Sequence, residues 1–114
     1  PYATILANTG LPFLPISTEA AFFGELQRIP FTMPGTGELA ELVSEALKDE
    51  SVVLMENHGI VVTGRSLRRA CDTVQMIERT AEVIVGCYSA TGKPPKVLPK
   101  EAADLMRSYA DFVA

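Results

Sequence analysis

The stretch "VVLMENHGIVV", residues 52–62, decides how this chain is read, because it places a polar turn with the only histidine, His58, between two apolar runs. Val52–Met55 is continuously apolar rather than alternating, the pattern of a strand covered on both faces. Ile60–Thr63 reads as its neighbour across a short connection. His58 sits in that connection beside Gly59, where a missing side chain lets another group come close. From the residues alone two readings stand: a structural histidine in an Asn-His-Gly turn, or one ligand of a site whose other members lie elsewhere. Glu56, two positions away, is either a partner on the same face or a solvated strand end.

Outward from this core the elements follow from caps and periodicity. Thr36 is placed to cap a helix to about Lys48, with Leu39, Leu42, Val43, Ala46 and Leu47 on one face. Ser66 is placed to cap a long helix to about Ala90, ended by Gly92, with an inward stripe of Leu67, Ala70, Cys71, Val74, Ile77, Ala81, Ile84, Val85 and Tyr88. Tyr2–Asn8 reads as a helix closed by Gly10, Leu11–Ser17 as extended, and Ser17 or Thr18 as the cap of a short helix through Phe23. Residues 28–34 read as a short strand whose prolines favour an edge or an end. Pro99 opens a last helix with Ala102, Leu105, Met106 and Tyr109 inward. Phe13, Phe22, Phe23 and Phe31 are expected in the core or an interface.

Composition narrows the function classes. A chain of 114 residues is one domain or part of one, and 47% hydrophobic with 21% charged residues marks a folded, water-soluble protein. A net charge of −4 with no basic tract argues against nucleic acid as a partner. The apolar runs fall far short of the ~20 residues that span a bilayer, so no membrane partner is expected. Cys71 and Cys87 lie in one expected helix, roughly 24 Å apart at about 1.5 Å per residue, and cannot pair there. Such sparse thiols fit a reducing, cytoplasmic setting. No nucleophile elbow, Walker loop or His-Glu-x-x-His motif is present. Pro34-Gly35-Thr36-Gly37 reads as a turn and a cap.

The runs "PYATILANTG", "PISTEAAFFG", "IPFTMPGTGELAELVSEAL", "VVLMENHGIVVTGRSLRRACDTVQMIERTAEVI" and "PPKVLPKEAADLM" resemble, in order and spacing, the C-terminal half of the class II aldolase/adducin family. That family includes fuculose-phosphate and rhamnulose-phosphate aldolases and ribulose-phosphate 4-epimerase. The resemblance implies a three-layer α/β/α fold around a mainly antiparallel sheet covered by helices, and a homotetramer with sites at subunit boundaries. It implies a zinc ion, or another divalent metal, held by a His-x-His pair and a third histidine matched here by His58. It also implies a lyase that cleaves a C–C bond of a sugar phosphate or similar hydroxy-keto substrate through a metal-stabilised enediolate.

The His-x-His pair would stand just before Pro1-Tyr2-Ala3-Thr4. The phosphate-binding glycine loops and an acidic ligand or base would also lie upstream. Residues 1–114 are therefore expected to be the C-terminal part of one such domain, inactive alone, with no catalytic residue assigned within it and Glu56 as a candidate partner for the free ring nitrogen of His58. One departure concerns mechanism: the family's proton-donating tyrosine matches Phe31, and a phenyl ring has no proton to donate. A decarboxylase, epimerase or dehydratase on the same scaffold is one alternative, and a non-catalytic adducin-like interaction domain another.

Overall fold

A computed structural model describes residues 1–110. In chain order it has α1 (Tyr2–Thr9), α2 (Thr18–Ala21), β1 (Gln27–Ile29), α3 (Gly37–Ala46), β2 (Val52–Met55), β3 (Gly59–Val62), α4 (Leu67–Thr91) and α5 (Lys100–Ser108). The caps fall where local chemistry puts them. Thr36 accepts the N–H of Leu39, and Ser66 that of Arg69. Gly10 and Gly92 close α1 and α4 in the left-handed conformation, φ 73 and 69.

The described strands form one sheet in the order β1-β2-β3. β2 and β3 are antiparallel, with Val52 opposite Val62 and Met55 opposite Gly59. β1 and β2 are parallel, Gln27 opposite Val53 and Ile29 opposite Met55. The sheet of the described residues is thus small and mixed rather than mainly antiparallel. Parallel neighbours need a crossover, and α3 supplies it. β1 is also earlier and shorter than the strand expected at 28–34, since Pro30 has no N–H to continue the ladder.

All four residues of β2 are buried, as the continuous apolar run predicts. Its pleat sends Val52 and Leu54 into a core with Leu6, Phe13, Phe23, Ile77, Ala81 and Ile84. Val53 and Met55 go to the other face with Ile29, under half-buried Leu39, Val43, Ala46 and Leu47. Each fully buried aliphatic side chain stabilises the fold by about 1.5–3 kcal/mol.

The inward stripe of α4 holds at Ile77, Ala81 and Ile84, with Val85 and Tyr88 packed beside them, but its first turns differ from the expected ones. Leu67 is 82% exposed, Val74 37%, and Cys71 is also exposed. Thr73 and Thr80 are buried instead, and the Thr80 hydroxyl donates to the Met76 carbonyl at 2.8 Å, so it enters the core with its polar atom satisfied. In α5, Ala102 and Met106 are half-buried, but Leu105 and Tyr109 face outward, and Leu42 of α3 is exposed as well. Phe13 and Phe23 join the core, whereas Phe31 is 58% exposed. Among the described residues no helix is long and apolar enough to cross a membrane.

Candidate functional site

Glu56, Asn57 and His58 make the turn from β2 to β3. Asn57 adopts φ 61, a left-handed conformation that Asn tolerates better than most residues, and Gly59 has φ 155. The three turn amides are each held by a different element. Glu56 N–H donates to the Ile29 carbonyl of β1 at 3.0 Å, and His58 N–H to the Met55 carbonyl of β2 at 3.2 Å. Asn57 N–H donates to Oδ1 of Asn8, on the last turn of α1, at 2.7 Å. α1 passes so near that a Cβ built on Gly59 would lie 3.8 Å from the Thr4 hydroxyl. His58, on this braced turn, is exposed.

Arg28 of β1 braces the same corner from below. Its guanidinium donates to the carbonyls of Leu6 and Leu11, joining the end of α1 to the strand. Burial lowers its pKa from the usual arginine value, while the carboxylates of Glu25 and Glu56 act to raise it. Arginine remains charged under such a balance. At the opposite end of α1, Glu78 of α4 accepts the N–H groups of Tyr2 and Ala3, both at 2.9 Å. Burial acts to raise the Glu78 pKa, whereas the hydrogen bonds from those two amides act to lower it. α1 is therefore fixed at both ends.

His58 borders a small cleft of about 100 Å³ whose lining includes Ile29, Phe31, Leu39, Met55 and Glu56. The structure thus brings together two positions that the sequence singles out separately, His58 and Phe31. Glu56 is close by, but among the described residues it shares no hydrogen bond with His58, and its charge is felt by Arg28 instead. As a metal site the corner is partial: among the described residues no group of three or more His, Cys, Asp or Glu is positioned to hold an ion. Its donor set fits the supply of one imidazole to a site completed by other residues. Asn8 and Arg28 escape sequence reading because their partners lie far along the chain; the sole local hint is a polar residue two positions before the glycine that closes α1.

A family model described as the class II aldolase and adducin N-terminal domain matches residues 1–85. The chain belongs to the class II aldolase and adducin family. It is 30% identical to a 5-deoxy-D-ribulose 1-phosphate aldolase of Bacillus thuringiensis over 98% of this chain and 53% of that protein. It is 38% identical to a 3-oxo-tetronate 4-phosphate decarboxylase of Haemophilus influenzae over 53% of this chain and 29% of that one. A solved structure of L-fuculose 1-phosphate aldolase superposes with a TM-score of 0.78 and 31% identity, covering 97% of this chain and 52% of that one. The chain thus spans about half, or less, of the length of these class II aldolase relatives.

Proposed function

We propose that the chain supplies one histidine ligand, His58, to a metal-dependent lyase of the class II aldolase type. The carrying observation is the exposed imidazole on a turn whose three amides are all pinned, facing a cleft shared with Phe31. His58 would bind through one neutral ring nitrogen, leaving the other for an acceptor that fixes the tautomer. When bound, the metal, zinc by family expectation, supplies Lewis acidity for negative charge that develops on substrate oxygens. The Phe31 ring, with Ile29, Leu39 and Met55, lines the cleft.

In this reading residues 1–114 are the C-terminal part of a single domain. The rest of that domain brings the other ligands, the acidic base and the phosphate site. It also continues the sheet from the outer edges of β1 and β3 into a mainly antiparallel layer between helices. The substrate is a sugar phosphate or a related hydroxy-keto compound, the assembly a homotetramer, and the setting cytoplasmic, which suits the free thiols of Cys71 and Cys87. The half-length match to sugar-phosphate aldolases supports this.

A second reading on the same scaffold is decarboxylation, which needs no base at a substrate hydroxyl, although the carbon that loses carbon dioxide must still take its proton from a group other than Phe31. The likeness to a protein named as a decarboxylase supports it. Assays of the complete protein on ketose 1-phosphates and on phosphorylated 3-oxo acids separate the two. Under the aldolase reading Phe31→Tyr raises C–C cleavage of ketose phosphates about tenfold or more. An unchanged rate there, with carbon dioxide released from the oxo acid, favours the decarboxylase. Absence of turnover on both would exclude these two activities and leave an epimerase, a dehydratase or an adducin-like interaction domain.

A further inference from the structure

Of the three amides in the His58 turn, two are held by backbone carbonyls and the middle one by a side chain, that of Asn8. The middle residue, Asn57, is also the one non-glycine residue with positive φ among the described residues. A left-handed residue reverses the chain locally, so its backbone angles set the direction in which the next side chain, His58, leaves the turn. A backbone carbonyl on β1 or β2 moves with the sheet, whereas Asn8 reports the position of α1. That helix is a firm base: Leu6 and Ala7 are buried, Glu78 holds its first amides and Arg28 the Leu6 carbonyl.

We propose that Asn8 is a positioning residue for His58, locking Asn57 in the conformation that aims the imidazole. The inference rests on the reading of His58 as a ligand. Asn8 itself is exposed, so replacing it removes the acceptor without opening the core.

The test uses the complete protein and zinc alone. Zinc affinity is measured by competition with a chromophoric chelator for wild type, Asn8→Leu, Asn8→Asp and His58→Ala, and the Asn57 amide is followed by ¹⁵N NMR. Asn8→Leu is expected to weaken zinc about 10–100-fold, the usual effect of losing a group that orients a ligand, and to move the Asn57 amide to higher field. Asn8→Asp keeps an acceptor oxygen and restores both. Should Asn8→Leu fail to fold, Asn8→Ser, too short to reach Asn57, takes its place with the same expectation. Wild-type zinc affinity in Asn8→Leu, alongside loss of zinc in His58→Ala, overturns the positioning role and leaves the ligand reading intact. Wild-type affinity in His58→Ala overturns the ligand reading itself, and the positioning role with it.

Discussion

The two faces of the sheet are built to different standards. On one, Val52 and Leu54 are sealed beneath α1 and α4 by residues such as Leu6, Ile77, Ala81 and Ile84, all essentially without solvent contact. On the other, Val53, Met55 and Ile29 are buried, yet α3 above them has no buried residue at all. The cleft that His58 borders opens on this thinner side, lined by Ile29, Met55 and Leu39. Its turn is nonetheless tied to the thick side through Asn8 of α1. The division suits a site: a close-packed layer resists distortion, and a thin layer leaves room for a ligand. The same dependence explains why the bracing contacts converge on α1 rather than on α3.

Charge substitutions break or sharpen this contrast. Ile77→Asp places an unpaired carboxylate in the thick core and is expected to unfold the chain, a loss above about 4 kcal/mol. Val43→Asp, half-buried on α3, should cost only about 1–2 kcal/mol, because its carboxylate can turn toward water. Equal shifts of the urea midpoint for the pair would abolish the asymmetry. A smaller effect is expected at the clasp between α4 and α1: Glu78→Gln should lose about 1 kcal/mol at neutral pH through weaker bonds to the helix N-terminus. Because the two amide hydrogen bonds favour the ionised carboxylate, their contribution is present above the unfolded carboxylate value of about 4.3 and fades as pH falls and Glu78 is protonated. Melting curves of wild type and Glu78→Gln should therefore converge as acid is added; a gap that widens toward low pH would reverse the sign of the argument.

How much the sequence reveals depends on how local the deciding physics is. Thr36, Ser66, Gly10 and Gly92 act on amides or carbonyls within a few residues, and all four cap where expected. The unbroken run Val52–Met55 carries its own burial on both faces. The α4 stripe is legible at Ile77, Ala81 and Ile84, but Thr73 and Thr80 escape it because hydropathy ranks threonine as polar, whereas Thr80 satisfies its hydroxyl on its own helix. Parallel pairing of β1 with β2 is a long-range choice with no local mark. The same holds for the site: the Asn-His-Gly turn and Phe31 are legible, but their shared cleft, the hold of Asn8 on the turn and that of Arg28 on α1 join residues tens of positions apart.

The most direct test is the metal content of the complete, folded protein, wild type against His58→Ala, by plasma mass spectrometry. Three imidazole donors reduced to two should drop the metal to background, and His58→Asn should not restore it, since an amide is a poor ligand for zinc beside imidazole. A histidine that only braces its turn predicts instead a stability loss on the order of 1–3 kcal/mol with metal retained. Loss of metal in both variants is the result this account predicts; equal occupancy in wild type and His58→Ala would contradict it.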